Sequence, residues 1–364
     1  HLALAAAMAR PEAEPEDMAL LSAAPRVWLR RVAEARAVQG AVGEEHLTLA
    51  MTKEALLAGR ESFSATLLER YAACPFQCFC ETFLRLGAAE GAAAGLGRFL
   101  HEALSRFFEK TEWRGEQEGA EEARQGLLQA AAEVMAAGQY LTEEDYESRY
   151  MRARALGILR RFVDLEMGLA QERAGRPQSF EVVFPSAGDG PQLEHLRIAR
   201  ESGPHILVEG RIDRVDVFEV QGQRCCIVVD YKTRDNSTLR ARTIEEGYSL
   251  QLPLYLMALE QAGVSELGQP VAAEWYCLED GTRRRVYFPD APVHTARREQ
   301  SPRWQPLSVG RESICAFVLD YVRRLGEGDI KVDPHPERIC AWCDFPDVCR
   351  VGEKVSPFAE REEE

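Results

Sequence analysis

Two constellations in this chain of 364 residues have the residue types and spacing for chemistry. The first is a pair of carboxylates with a lysine. Glu209-Gly-Arg-Ile-Asp213-Arg-Val-Asp-Val-Phe-Glu-Val220 reads as a strand, as does Arg224-Cys-Cys-Ile-Val-Val-Asp230-Tyr-Lys232, and Gln221-Gly222-Gln223 between them carries a hairpin signal. With Gln221-Gly222 as the turn and Val220 opposite Gln223, counting outward sets Asp213 opposite Asp230. Opposed residues of an antiparallel pair hold their Cβ atoms roughly 4.5–5.5 Å apart. Carboxylates at that range repel unless a cation lies between them. The strand period also puts Val228, Asp230 and Lys232 on one face. Such a face suits metal-dependent phosphodiester hydrolysis, because hard oxygen ligands hold Mg²⁺, which lowers the pKa of a bound water and neutralises charge on phosphorus-bound oxygens. Lys232 would orient or deprotonate that water, or balance the charge. Asp-x-Lys alone at a strand end is more often a surface ion pair, Asp230 or Asp213 with Lys232 or Arg214. The second aspartate in register shifts the reading to a metal site.

The second constellation is sulfur. Cys340-Ala-Trp-Cys343-Asp-Phe-Pro-Asp-Val-Cys349 is a C-x2-C-x5-C run, and two thiolates three positions apart grip one ion from a tight loop. A tetrahedral centre needs a fourth ligand, for which Cys74 in Tyr71-Ala-Ala-Cys74-Pro-Phe76 is the natural candidate; Cys78 and Cys80 compete with it. A site built from both ends would be a staple around the chain between them. Four thiolates suit zinc or an iron–sulfur cluster. Cys225, Cys226, Cys277 and Cys315 read as reduced core residues, consistent with a reducing cytoplasm.

The elements that must position these groups follow from periodicity. Ser62-Phe-Ser64 caps a helix carrying Leu67, Leu68 and Tyr71, and a Gly/Ala-rich loop leads to a helix with Leu96, Phe99, Leu100, Leu104 and Phe107 on one stripe. His101 lies at the edge of that stripe, where histidine is usually packing; a metal in want of a further ligand makes it a candidate. Helices are expected over 120–137 and 143–173, then strands, a helix near 248–262 in which Gln251 and Tyr255 share a face toward substrate, two more strands, and a last helix. Helices followed by a β-meander and then helix and strand is an α/β pattern in one domain. Residues 1–60 read as a helical extension or the remnant of an upstream domain, 61–350 as the catalytic domain, and 351–364 as an acidic tail.

Composition bounds the partners. A hydrophobic fraction of 46% supports a sizeable core, and no run reaches the ~18 apolar residues of a membrane span. The net charge of −15 argues against a nucleic-acid coat protein but leaves room for a local basic groove. Arginine clusters occur at Arg149, Arg152, Arg154, Arg160 and Arg161, at Arg283–Arg285, and at Arg297, Arg298 and Arg303, where solvated faces are at least as good an account. There is no Walker-type Gly-x4-Gly-Lys-Ser/Thr, so no ATP site is expected in this chain.

Gly97-Arg-Phe-Leu-His101, Gly210-Arg-Ile-Asp213-Arg-Val-Asp216, Val229-Asp230-Tyr-Lys232-Thr233 and Gln251-Leu-Pro-Leu-Tyr255 resemble, in order, the motifs of RecB-type nucleases of the PD-(D/E)xK superfamily. The cysteine frame resembles its iron–sulfur-stapled branch: AddB-type nuclease domains and CRISPR-associated four-cysteine nucleases. The resemblance implies a restriction-endonuclease-like core, a central mixed β-sheet flanked by helices. It implies His101, Asp213 and Asp230 as Mg²⁺ or Mn²⁺ ligands with the Tyr231 carbonyl as a further one, and Lys232 as the catalytic lysine. It implies a [4Fe-4S] cluster on Cys74, Cys340, Cys343 and Cys349, and DNA contacts from Gln251 and Tyr255. The implied activity is a DNA exonuclease acting on single strands or ends in repair and recombination, with a helicase–nuclease partner subunit. The alternatives are an inactive iron–sulfur DNA-binding module and a nuclease of the CRISPR-adaptation type.

Overall fold

In the computed structural model the chain gathers into two compact units, one of Glu61–Glu69 and Ala88–Leu319, the other of His1–Arg60, Arg70–Gly87 and Asp320–Glu364. The structure describes residues 60–349 apart from 87–91, 113–116, 139, 142–145, 173–174, 187–192, 201, 221, 236–238, 264, 292–303 and 336. Of the expected extension 1–60 only Arg60 is described, and the acidic tail 351–364 and Arg297, Arg298 and Arg303 lie outside the described residues. In chain order the elements are β1 (Ser62–Ser64), α1 (Ala65–Ala73), α2 (Pro75–Cys78) running into a π-helical turn Phe79–Phe83, α3 (Ala92–Lys110), α4 (Ala120–Ala136), α5 (Tyr146–Glu172), β2 (Arg176–Phe184), β3 (Leu196–Ile198), β4 (Ile206–Val220) and β5 (Gln223–Lys232). They continue with α6 (Ala241–Glu245), α7 (Gln251–Ala262), β6 (Gln269–Cys277), β7 (Arg283–Tyr287), β8 (Trp304–Pro306), α8 (Arg311–Gly326), a 3₁₀ turn Glu337–Trp342 and α9 (Pro346–Cys349).

The larger unit is built on β4. Its first residues pair with β1 in parallel and with β3 antiparallel, and its remainder lies between β2 and β5, both antiparallel to it. The sheet continues β5–β6–β7–β8. β5 and β6 are parallel, joined through α6 and α7, and nearly every residue of both is buried, as central parallel strands covered on both faces require. Alternate residues of β5 divide the two faces. Ile227, Val229 and Tyr231 join a core with Phe99, Leu100, Leu104, Phe107, Leu127, Ile158 and Phe162 of α3, α4 and α5. Cys226, Val228, Asp230 and Lys232 take the opposite face, and α7 packs against β5 and β6.

The pairing Val220↔Gln223 through Arg214↔Val229 is the register read from the Gln221-Gly222 turn, and its next step brings Asp213 level with Asp230. Ser62–Ser64 differs from its reading as a cap alone. Ser64 Oγ accepts the Leu67 N–H at 3.2 Å, as a cap does, yet the three residues also form β1, with Phe63 beside Val208. Pro253 stands third in α7, inside the first turn, where a missing N–H leaves no helical bond unmade.

In the smaller unit, Tyr71 Oη donates to the Asp329 carbonyl at 2.6 Å, and Arg324 pairs with the Asp329 carboxylate at 2.7 Å. The Phe76 N–H donates to the Lys331 carbonyl at 3.2 Å and the His335 N–H to the Ala73 carbonyl at 2.7 Å. These bonds lay the chain ahead of the C-terminal cysteines along the segment that holds Cys74.

Candidate active site

Three carboxylates stand abreast on three neighbouring strands. Phe180↔Arg214 and Val182↔Ile212 bracket Glu181 opposite Asp213, and Asp213 in turn stands level with Asp230. Glu181 is a residue that sequence reasoning passed over, since it belongs to no motif and its role depends on the β2–β4 register. Its backbone is left-handed at φ 47°, an uncommon conformation for a non-glycine residue within a strand. Ligand atoms of His101, Glu181 and Asp213 all lie within 4.8 Å of one another. All three acids line one cleft of about 720 Å³, with His101, Lys232, Gln251 and Tyr255.

Each acid has a basic neighbour. His101 Nδ1 lies 3.3 Å from Asp213 Oδ1, and its Nε2 lies 3.2 Å from the Tyr231 carbonyl oxygen. Burial alone would lower the His101 imidazole, but the Asp213 carboxylate, with help from Asp230 and Glu181, outweighs it and lifts the group to about 9. A doubly protonated ring donates at both nitrogens, which fits both contacts. Arg211 pairs with Glu181 at 2.9 Å. Burial and the neighbouring Asp213 nonetheless raise Glu181 to about 7, against Arg211 and His101. Lys232 Nζ lies 2.7 Å from Asp230 Oδ2, and Asp230 outweighs the effect of burial to raise the ammonium further. For Asp230 itself burial is the larger effect and raises the carboxyl. Asp213 moves the other way. Burial would raise it, but His101, the Tyr231 N–H and Lys232 together hold it below the usual carboxylate range.

Backbone and neighbouring side chains fix these groups. The Tyr231 N–H donates to Asp213 Oδ2 at 2.7 Å. Lys232 Nζ donates to Gln251 Oε1 at 2.9 Å, and Gln251 heads α7, where Glu69 Oε1 accepts the N–H groups of Leu250 at 2.6 Å and Gln251 at 2.9 Å. A carboxylate at a helix N-terminus satisfies otherwise orphaned donors. Tyr255 is buried with its ring edge-on to Phe184, and Gly210 opens room for both rings: a Cβ there would come within 2.8 Å of each. Asp213 and Asp230 are themselves buried, at 7% and 4% exposed, so the acids sit at the floor of the cleft rather than in open solvent.

Arg214 does not join Asp213 on the surface. It turns to the helix-covered side of the sheet, fully buried, and pairs with Asp216 at 2.5 Å and Glu166 at 3.1 Å while donating to Tyr231 Oη at 3.2 Å. Arg283 and Arg285 both pair with Glu274, and Arg284 pairs with Asp235. That arginine run is therefore taken up by ion pairs instead of forming a basic groove.

The donor set fits a hard divalent cation. Two to three carboxylates, one imidazole and a backbone carbonyl converge, and Asp230 Oδ2 is buried beside Lys232 without a well-angled hydrogen bond. In the other unit the electrostatic neighbours of the Cys343 thiol are Cys349, Cys74 and Cys340, and those of Cys80 are Cys343, Cys74 and Cys349. Burial is the main effect and raises both thiols, with the adjacent sulfurs adding to it. The expected four cysteines thus gather, with Cys80 as a fifth neighbour. Cys225, Cys226 and Cys277 are buried free thiols and Cys315 a half-buried one, as expected.

The mixed sheet flanked by helices, with acids at adjacent strand positions, is the arrangement of a restriction-endonuclease-like core. A family model of the PD-(D/E)XK nuclease superfamily matches residues 62–350, and the chain belongs to that superfamily. It is similar to bacterial proteins named as AddB-type subunits of an ATP-dependent helicase/deoxyribonuclease. That of Moorella thermoacetica is 32% identical over 213 residues, 57% of this chain and 18% of the relative. That of Symbiobacterium thermophilum is 30% identical over 299 residues, 78% and 23%. That of Clostridium acetobutylicum is 26% identical over 352 residues, 81% and 30%. The chain thus spans 18–30% of the length of these relatives. Among the described residues no helix is long and apolar enough to cross a membrane.

Proposed function

We propose that this chain is a metal-dependent DNA nuclease, an exonuclease acting on single strands or DNA ends, with 61–350 as the catalytic domain. The observation that carries the reading is the Glu181–Asp213–Asp230 row facing His101 and Lys232 in one cleft. His101, Glu181, Asp213, Asp230 and the Tyr231 carbonyl would hold Mg²⁺ or Mn²⁺. That ion supplies an acidified water and charge neutralisation at the phosphate. The protein's own residues do the rest. Asp213 is fixed by the Tyr231 N–H and cannot swing away from the cleft. Lys232, anchored by Gln251, holds an ammonium where it can donate to a phosphate oxygen or to the attacking water. Gln251 and Tyr255 line the approach and meet the substrate backbone.

Cys74, Cys340, Cys343 and Cys349 would hold a [4Fe-4S] cluster, supported by their proximity in one unit. An absorbance band near about 400 nm with bound iron fits the cluster, whereas a colourless protein with zinc would overturn it. The names of the relatives support action in DNA repair in the cytoplasm beside a helicase–nuclease partner, with ATP hydrolysis outside the residues of this chain.

The test is cleavage of end-labelled single-stranded DNA with Mg²⁺ or Mn²⁺. Asp230→Ala and Lys232→Ala should each abolish cleavage while circular dichroism and iron content stay at parent level. Full activity in either variant would overturn the active-site assignment.

A further inference from the structure

The catalytic reading leaves the outer face of α5 without a role. Among the described residues three large apolar side chains are exposed: Tyr146 at 79%, Tyr150 at 54% and Val183. Val183 lines the cleft. Tyr146 and Tyr150 are four residues apart in the first turns of α5, so both rings leave the same face, about 6 Å apart along the axis. Arg149 is exposed beside them, and Arg160 is exposed further along the same face. In a chain of net charge −15 this face pairs aromatic rings with guanidinium groups.

The face continues into the cleft. Arg152 Nε donates to the Leu141 carbonyl at 2.6 Å. The adjacent Tyr140 lines the cleft, with the Arg98 guanidinium 5.5 Å from the centre of its ring. At 100° per residue, Arg149 lies between Arg152 and the two tyrosines around the helix. The order from the acids outward is therefore Arg98 with Tyr140, then Arg152, Arg149 and Tyr150, then Tyr146.

We propose that Tyr140, Arg149, Tyr150 and Tyr146 form a track for single-stranded DNA leading into the cleft. The inference rests on the nuclease reading above and adds the route of the strand. Arginine takes the phosphates, and each tyrosine ring stacks on an unpaired base. Stacking is worth having only where a base face is free, so the track selects an unpaired strand over a duplex. An exposed tyrosine–arginine face also suits a protein partner. Its continuity with a cleft that must receive a polyanion favours DNA.

The experiment uses the intact protein and fluorescein-labelled oligothymidylates of roughly 4 and 20 nucleotides, bracketing the length such a surface spans. In Tyr146→Ala/Tyr150→Ala the KM for the longer strand should rise on the order of 10-fold with kcat unchanged, and the shorter strand should be cleaved as by the parent. Tyr146→Phe/Tyr150→Phe keeps the rings and should restore the parent KM. Arg149→Ala should lower the salt slope of the KM by about 0.7. An unchanged KM for the longer strand, or a phenylalanine variant as impaired as the alanine one, would overturn the track. So would loss of a co-purifying protein with KM unchanged, which would assign the face to that protein. Asp230→Ala separates the two readings: cleavage by Asp230→Ala refutes the nuclease site, whereas a dead Asp230→Ala beside an unaffected tyrosine variant refutes only the track.

Discussion

Binding of a divalent ion in the cleft should expel protons, with a pH dependence set by two groups. His101 carries its proton up to about 9 and Glu181 up to about 7 in the metal-free protein. A ligating imidazole must be neutral and a ligating carboxylate ionised, so each proton held is a proton the metal must displace. Between pH 7 and 9 one proton leaves, and apparent affinity should fall about tenfold per pH unit on going down. Below pH 7 the Glu181 proton joins it, and the fall should steepen toward about a hundredfold per unit. At pH 7, two units below the His101 value, the His101 proton alone weakens binding about 100-fold, or about 2.7 kcal/mol at ~1.36 kcal/mol per unit.

Mn²⁺ titration calorimetry in two buffers of different ionisation enthalpy measures the released protons directly. The expected release is about one at pH 8 and about one and a half at pH 7, with Glu181 half protonated there. In His101→Gln the affinity should be weaker and flat between pH 7.5 and 9, a window set by the Glu181 and His101 values. A parent affinity that is flat over that window, or a slope that survives His101→Gln, would refute the reasoning. Stability of the metal-free protein gives an independent sign. Both groups have folded-state values raised above the ordinary 6.5 and 4.5, so each contributes stability below its ordinary value that is lost as pH rises through its folded value. The metal-free melting temperature should therefore decline from pH 5 to pH 9, the span bounded by these values.

Three further outcomes are expected. Tyr231→Phe deletes only the acceptor for Arg214 and should cost about 1 kcal/mol in urea unfolding with cleavage retained, whereas Arg214→Met removes the centre of a buried ion network and should cost about 3–5 kcal/mol. Gly268→Ala should lower stability by about 2–5 kcal/mol, since its φ is +77° and a Cβ would run into the Arg224 carbonyl group; a melting curve like the parent's would contradict this. Cys343→Ala should lose iron and melt early, releasing a closure worth on the order of 4–5 kcal/mol by analogy with long disulfide loops, while Cys80→Ser should keep its iron; the reverse pattern would make Cys80 the ligand.

The Asp213–Asp230 pair was legible because a hairpin turn fixes register and register fixes which side chains meet. The cysteine frame was legible because ligand spacing is local. Glu181 was not, because β2 meets β4 across a long connection that no turn residue specifies. Arg214 and Asp216 were taken for surface charges since charged side chains are seldom fully buried, and only the fold shows Glu166 of α5 and Tyr231 closing the network. β1 and β8, of three residues each, are too short to show any period. The run Arg283–Arg285 shows the opposite error open to sequence reading: consecutive positive charges look like a binding surface until Glu274 and Asp235 are found beside them.

Three carboxylates side by side on adjacent strands are an arrangement that sheet energetics disfavours, since like charges directly opposite destabilise a pair. The metal-free cleft answers this with one base for each acid: Arg211 for Glu181, His101 for Asp213 and Lys232 for Asp230. The floor is therefore close to charge-balanced before any ion arrives, and the protein can fold without one. A dication entering a balanced site leaves it positive, and the loss of the His101 proton offsets only part of that charge. The surplus is what a phosphodiester anion needs at the bottom of a cleft in a chain of net charge −15. Arg211 and Lys232, paired with acids in the metal-free protein, are then freed to face the phosphate as the ion takes over Glu181 and Asp230. The bases beside the acids thus hold the site together when it is empty and turn toward substrate when it is filled.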